Sequence, residues 1–257
     1  MRTPITYYGG KQRMCRLILP LIPEHKMYVE PFFGGGAIFF AKEPSEVEVI
    51  NDMDTNIGIF YEQLKTNLTA LKTKIEGTLY SRQTYQKAFA IYKDPSKHSP
   101  LDIAWAFYVT TNQGWGGQIG SWAYSVESNS RVRSFNNKAK ELTLFSERLA
   151  NCQVEYGKDA VDIIKSFNRD QTFVYADPPY YNANMGHYGG YTLQDFERLL
   201  DVLSTVKGKF LLSSYNSDIL SEYTKRFDWH TKEISLRLSS SNRPKQKTEV
   251  LTANYSI

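Results

Sequence analysis

Short apolar runs alternate with longer amphipathic stretches along most of this chain. Residues 27–31, 47–51, 152–156, 172–176 and 209–214 form runs of five or six, bounded by polar or turn-forming residues, as buried strands do. Between or after them apolar positions recur at helical spacing, most clearly over 57–75, 193–206 and 217–227. This alternation predicts an α/β fold, a mostly parallel sheet flanked by helices, in which ligands sit at the carboxyl ends of the strands.

The stretch from about Tyr80 to Asn137 breaks the rhythm. Helical patterns over 81–93 and 100–111 give way to Asn112-Gln113-Gly114-Trp115-Gly116-Gly117-Gln118 and then to a Ser/Asn/Arg-rich segment. Residues 80–137 are therefore expected to form an inserted, mainly helical and loop-rich subdomain, with 1–79 and 138–257 as the main domain. From about Asp228 the polarity alternates residue by residue, which predicts a closing β-hairpin whose arms flank the polar loop Ser239-Ser240-Ser241-Asn242-Arg243-Pro244.

The 31 basic residues are largely offset by 27 acidic ones, leaving a net charge of +4 that permits a nucleic-acid partner without demanding one. Local clustering says more. Arg237, Arg243, Lys245 and Lys247 fall within eleven residues, and Arg131, Arg133, Lys138 and Lys140 within ten. On charge alone each cluster is equally an ordinary solvated face. Cys15 and Cys152 give neither a disulfide framework nor a zinc spacing, and the histidines are scattered, so no metal is expected. With no apolar signal region and no stretch apolar enough to span a bilayer, the expectation is a soluble cytoplasmic protein, of a bacterial cell or of a virus-infected host.

Candidate chemistry begins at Glu30-Pro31-Phe32-Phe33-Gly34-Gly35-Gly36, directly after a strand and before an apolar stretch that can start a helix. Three glycines let backbone approach a ligand without a Cβ in the way. Dinucleotide, nucleotide and methyl-donor sites share such a turn, but the absence of a following Gly-Lys-Ser/Thr excludes a phosphate-binding P-loop. The second strand ends in Asn51-Asp52. An acidic side chain there can accept both hydroxyls of a ribose; the alternative, capping the next helix, is open to Asp54 or Thr55 as well.

Asp177-Pro178-Pro179-Tyr180 follows the strand 172–176 and so also lies at a carboxyl end of the sheet. Two prolines hold an extended, stiff loop and donate no hydrogen bonds. What remains is a carboxylate, the Pro178 carbonyl and the face of Tyr180. That set suits an aromatic amino group, whose lone pair is delocalised into its ring. Two acceptors gripping its N–H bonds would localise the lone pair for in-line attack on a sulfonium methyl, by positioning and electrostatics. Tyr180 would stack on a base flipped out of its duplex.

Together with Tyr7-Tyr8-Gly9-Gly10-Lys11, these motifs resemble, over nearly the whole chain, the Dam family of DNA adenine methyltransferases, the D12 class, in the order of its α group. The resemblance implies a Rossmann-like S-adenosylmethionine-dependent methyltransferase fold with an inserted target-recognition subdomain. It also implies double-stranded DNA as partner, S-adenosylhomocysteine as product and no metal. Asp177, Pro178, Pro179 and Tyr180 match the catalytic positions. Tyr7, Lys11, Phe32, Phe33, Gly34, Gly35, Gly36, Asp52 and Asp177 match the donor site. Asp159 matches an acidic position near the donor adenine, with Glu155 as the alternative alignment and a helix N-cap as the alternative role; Tyr181 would pack against donor or base. A monomer is the default, with dimerisation on DNA left open.

The insertion departs from the members that methylate GATC, keeping only the outline of their Asn-Arg and Asn-Gly-Leu pattern, so the recognition sequence is open, as is the existence of a partner restriction enzyme. Candidates for base or backbone contacts are Asn112, Gln113, Trp115, Gln118, Arg131 and Arg133, each with surface polar packing as its alternative. Ser241, Asn242, Arg243, Lys245 and Lys247 would contact phosphates. The alternatives are methylation of adenine in RNA or of the cytosine amino group, and a catalytically silent DNA-binding homologue. An Asp at the first position of the tetrapeptide resembles the adenine enzymes, whereas a Ser there resembles the cytosine ones.

Overall fold

The computed structural model describes residues 2–181, 190–237 and 246–257. Its strands are β1 Met27–Glu30, β2 Val47–Ile50, β3 Cys152–Val154, β4 Thr172–Ala176, β5 Lys209–Ser214, β6 His230–Arg237 and β7 Gln246–Ala253. Among the described residues they form one seven-stranded sheet in the order β3-β2-β1-β4-β5-β7-β6. The helices are α1 Cys15–Ile18, α2 Ala37–Ala41, α3 Thr55–Thr66, α4 Leu68–Glu76, α5 Arg82–Lys93, α6 Pro100–Asn112, α7 Ser130–Lys140, α8 Leu142–Leu149, α9 Ala160–Ser166, α10 Leu193–Ser204 and α11 Asp218–Phe227. Two compact units result, one of Met1–Pro20, Phe33–Pro44 and Ile50–Gly157, the other of Leu21–Phe32, Ser45–Val49 and Lys158–Ile257.

In the second unit, β4 is buried at every position, as a central strand covered on both faces requires. It pairs in parallel with β1 and with β5. Val29, Val174, Phe210 and Leu212 join one apolar core with Phe196, Leu199 and Leu203 of α10 and Leu220 and Tyr223 of α11. The strand order reverses its progress between β1 and β4, the topological switch point at which doubly wound sheets bind ligands. β1 runs directly into the Gly-rich motif and β4 into Asp177-Pro178-Pro179-Tyr180. The expected hairpin is present: β6 and β7 pair antiparallel, and β7 pairs antiparallel with β5. Short side chains cap the helices: Ser217 accepts from the Leu220 amide, and Thr192 and Asp195 form a reciprocal capping box on α10.

The first unit is built around α6, which buries every residue from Ile103 to Thr111 and packs against α3, α4 and α5. A helix apolar all round belongs in a core. Ser99 caps it and Pro100 starts it. Two expectations need correction here. The single helix over 57–75 is two, α3 and α4, because Asn67 leaves the helical region (φ −136°, ψ 38°) and its side-chain amide turns back to Gln63 Oε1 at 3.0 Å. The Ser/Asn/Arg-rich segment, expected as loop, contains helix α7, held by Phe135 and Ala139, which are buried and lie four residues apart on one face. Residues 80–137 lie wholly within this first unit, in company with 1–20 and 33–44.

No helix among the described residues is long and apolar enough to cross a membrane, and no group of His, Cys, Asp or Glu among them is placed to hold a metal ion.

Candidate active site

The glycine motif of the first unit is a tight turn locked from both sides. Phe33 N–H donates to the Asn51 carbonyl (2.9 Å) and Gly36 N–H to the Phe33 carbonyl (2.7 Å). Gly34 and Gly36 have φ of 47° and 64°, a region in which a Cβ is strained. Space excludes a side chain as well: a Cβ on Gly34 would lie 2.8 Å from the Tyr7 ring, and one on Gly36 2.4 Å from the Phe33 ring. Tyr7 of the N-terminal motif thus packs against the turn. Lys11 of the same motif is buried at the start of a single 3-10 turn, Lys11–Arg13. Phe33 is buried edge-on against Tyr61 and Phe39, with centroids 4.7 and 5.4 Å away. It supports the turn from inside.

Asp52 joins this turn. Its Oδ2 accepts from the Gly34 amide at 2.8 Å and its Oδ1 from the Asp54 amide at 3.0 Å. Burial pushes the carboxyl up to about 6, against the opposing pull of the Gly34 and Asp54 amides. It does not cap α3; Asp54 does, accepting from the Asn56 amide. Beside Asp52 is a narrow cleft, too tight as it stands for a water molecule, lined by Phe33, Ile50, Gly58, Tyr61, Val154 and Glu155. Gly58 has no side chain because Tyr156 occupies that space: a Cβ there would sit 2.0 Å from Tyr156 Cβ, and the Tyr156 hydroxyl is anchored on Glu62 at 2.7 Å. Gly58 and Tyr156 went unnoticed in the sequence, where a lone glycine inside a helical pattern was the available signal. Glu155 lines the cleft. Asp159 belongs to the second unit, where it caps α9 through the Val161 amide and pairs with Arg198 at 2.7 Å.

In the second unit, the tetrapeptide stands over a row of buried polar groups. Tyr28 and Glu30 from β1, Tyr175 from β4, Ser213 from β5 and Glu249 from β7 are each no more than 5% exposed. The Tyr28 hydroxyl donates to Glu30 at 2.6 Å. Burial and then the neighbouring carboxylates, Glu30 for Tyr28 and chiefly Asp177 for Tyr175, hold both phenols well above their ordinary range, so both stay protonated. The Tyr180 hydroxyl reaches Asp177 Oδ1 at 3.3 Å, Ser213 Oγ at 3.2 Å and Glu249 Oε2 at 3.2 Å. The Tyr180 ring lies against Tyr215, centroids 4.4 Å apart. Pro178 is buried, Asp177 and Tyr180 half-buried. Phe32 packs edge-on against Tyr191, and Tyr181 packs against Phe196 in the apolar core.

Of the residues expected at a nucleic-acid surface, Asn112 and Gln113 are used internally. Asn112 Oδ1 accepts from Thr6 and Lys138, and its amide donates to the Tyr108 and Pro4 carbonyls. Gln113 is fully buried and donates to the Leu79 carbonyl. Trp115 is 56% exposed, with the Arg131 guanidinium 4.7 Å above its ring; Gln118 is half-buried and Arg133 exposed. Ser241, Asn242, Arg243 and Lys245 lie outside the described residues, as does the Lys247 side chain.

The strand order, with the glycine turn following β1 and the tetrapeptide following β4, is that of a Rossmann-like fold. The model of the D12 class N6 adenine-specific DNA methyltransferase family matches residues 7–235, and the chain belongs to that family. It is similar to the Type II methyltransferase M.FokI of Planomicrobium okeanokoites, 27% identical over 99% of this chain and 43% of that protein's length. It is also similar to the Type II methyltransferase M1.LlaDCHI of Lactococcus lactis subsp. cremoris, 26% identical over 96% of this chain and 93% of the relative. The DNA adenine methylase of Escherichia coli (strain K12) is 22% identical over 99% of this chain and 95% of its own. The chain thus spans less than half the length of the first of these relatives and nearly all of the other two.

Proposed function

We propose that this chain methylates the N6 amino group of adenine in double-stranded DNA, with S-adenosylmethionine as the methyl donor and S-adenosylhomocysteine as the product. The observation that carries the reading is Asp177, held at the carboxyl end of a wholly buried strand beside a tyrosine whose hydroxyl is anchored on buried groups.

The residues fit the donor. Gly34 and Gly36 hold a turn that permits no Cβ, and beside it Asp52 offers a carboxylate to ribose hydroxyls next to a narrow cleft that Glu155 also lines. We assign the acidic contact to the donor adenosine to Glu155 rather than Asp159, since Glu155 lines the cleft beside Asp52 whereas Asp159 caps α9. When bound, S-adenosylmethionine supplies an electrophilic methyl group.

The chain supplies the rest. The target adenine leaves the duplex stack, and Tyr180 supports it face to face, worth roughly 1–3 kcal/mol and comparable with the cost of unstacking. The Asp177 carboxylate and the Pro178 carbonyl accept the two N–H bonds of the amino group, which draws its lone pair out of the ring. As the nitrogen takes the methyl it becomes strongly acidic and releases one proton to water, so Asp177 serves as an acceptor and an electrostatic partner without acting as a base. Trp115, Gln118, Arg131 and Arg133 form the DNA-facing set in the described part of 80–137, and Arg243, Lys245 and Lys247 contact phosphates.

The test is incubation with unmethylated genomic DNA and labelled S-adenosylmethionine, alongside Asp177→Ala, followed by nucleoside analysis. N6-methyladenine from the parent and none from the variant, at a melting temperature like the parent's, supports the reading. Label in cytosine, in RNA alone, or in no nucleic acid overturns it.

A further inference from the structure

The hydroxyl of Tyr180 has one proton and two carboxylates within reach, Asp177 Oδ1 at 3.3 Å and Glu249 Oε2 at 3.2 Å. It can donate to only one of them at a time. The partner it keeps fixes where the Tyr180 ring stands, and under the proposed reaction that ring supports the target base. Glu249 is 5% exposed, on a strand that runs antiparallel beside β5, and Ser213 of β5 stands 3.4 Å from the same Oε2 and 3.2 Å from the Tyr180 oxygen. A buried carboxylate is costly unless it is hydrogen-bonded, and these two hydroxyls are donors that meet part of that cost.

We propose that Glu249 is a positioning residue for the methyl transfer: it accepts the hydrogen bond of the Tyr180 hydroxyl and so holds the Tyr180 ring where its face meets the target base. The inference rests on the function proposed above. Tyr215, packed on the Tyr180 ring at 4.4 Å, restrains the ring, while Glu249 sets the direction of its hydroxyl. The sequence carried a signal for this residue: in an alternating strand, position 249 shares a face with Leu251 and Ala253, both fully buried, so a charge there needs a partner.

Two double-mutant cycles test it, with Glu249→Gln, Tyr180→Phe and the pair. Glutamine keeps the shape, removes the charge and adds N–H donors that compete for Ser213 and Tyr180. The first cycle reads denaturant midpoints and is independent of activity; the two changes are expected to be non-additive, and additivity overturns the contact. The second reads methyl transfer to unmethylated genomic DNA at saturating donor and DNA. Glu249→Gln is expected to lower that rate about tenfold in the parent and less than twofold in the Tyr180→Phe background, with donor affinity unchanged within twofold. Equal losses in both backgrounds, or a Glu249→Gln rate equal to the parent's, overturn the role of Glu249 while the reaction stands. A parent that leaves adenine unmethylated overturns the proposed function, and the positioning role falls with it.

Discussion

The backbone N–H of Gly34 donates to Asp52 Oδ2 at 2.8 Å, so the glycine turn and the acidic end of β2 are a single hydrogen-bonded unit. Burial raises the Asp52 carboxyl to about 6. Accepting ribose hydroxyls requires the ionised form, which falls to about one in ten by pH 5. Donor affinity measured by calorimetry should therefore be flat above pH 7 and drop about tenfold between pH 8 and pH 5. Asp52→Asn should bind donor weakly at every pH and show no such drop. For folding the sign is opposite: a carboxyl whose folded value is raised contributes stability while it is protonated, fully below about 4, and loses it as pH rises through about 6. The Asp52→Asn protein should therefore melt no lower than the parent at pH 7.5, which separates loss of binding from loss of fold.

Gly36→Ala should damage the fold itself. Its φ of 64° costs an alanine roughly 1–2 kcal/mol, and the new Cβ would meet the Phe33 ring at 2.4 Å, a ring already wedged against Tyr61 and Phe39. Relief by moving Phe33 would cost about another 1–3 kcal/mol of overpacking. The expected result is a melting temperature lower by several degrees and no measurable donor binding. A variant that melts with the parent would show that the turn can relax.

Gly58→Ala sets two effects against each other. In a helix interior alanine is better than glycine by about 1 kcal/mol. At this position the Cβ would lie 2.0 Å from Tyr156 Cβ, so Tyr156 must move and its 2.7 Å hydrogen bond to Glu62 must break or bend. Overpacking of that severity outweighs the propensity gain. The variant should be less stable than the parent and bind donor more weakly, because Gly58 and Glu155 line the same cleft. Thermal melts and calorimetry check both; a stabilised variant would mean that Tyr156 does not pack there in solution.

What could be read in advance follows from which forces are local. The strand 172–176 was legible because a fully buried central strand has no polar face to interrupt it. Gly34 and Gly36 were legible because positive φ imposes a residue type on a short motif, and Asp52 because an acidic residue just past a buried strand stands out beside the turn whose amide it accepts. Asn112 and Gln113 show that polarity does not reveal internal bonding: an amide hydrogen-bonded within the protein looks the same in sequence as one that reads a base. Helix α7 was hidden because only Phe135 and Ala139 mark its buried face amid polar residues. The packing of Gly58 against Tyr156 depends on elements far apart in sequence meeting in space, which a single chain read in order does not disclose.

Lys138 donates to Thr6 Oγ1 at 2.7 Å and to Asn112 Oδ1 at 2.9 Å. Burial first, and then the Arg2 charge, lower its ammonium to about 8, with Glu141 opposing. A base lowered on folding binds fewer protons in the folded chain than in the unfolded one between about 8 and its ordinary value of 10.5, so stability rises with pH across that window. Lys138→Met should remove the rise. Denaturant midpoints at pH 7.5 and pH 9.5 for both proteins decide it: a parent whose advantage over the variant does not grow with pH contradicts the burial of this amine.

Trp115 and Arg131 present a cation stacked 4.7 Å above an aromatic ring that is itself 56% exposed. The backbone behind the ring is tied down, with Trp115 N–H on the Ser121 carbonyl at 2.7 Å and a bridge between Gly114 and Trp122. An exposed tryptophan on a braced loop gains nothing for the core, and it offers a base or sugar an apolar face next to a charge that suits a phosphate. Trp115→Ala should weaken duplex binding by about 1–3 kcal/mol with little change in salt dependence. Arg131→Ala should weaken binding and lower the slope of log affinity against log salt by about one. Neither should alter donor affinity. Anisotropy titrations of a labelled duplex at two salt concentrations separate these outcomes from the competing one, in which the pair only stabilises α7: both variants would then lose melting temperature and bind DNA like the parent.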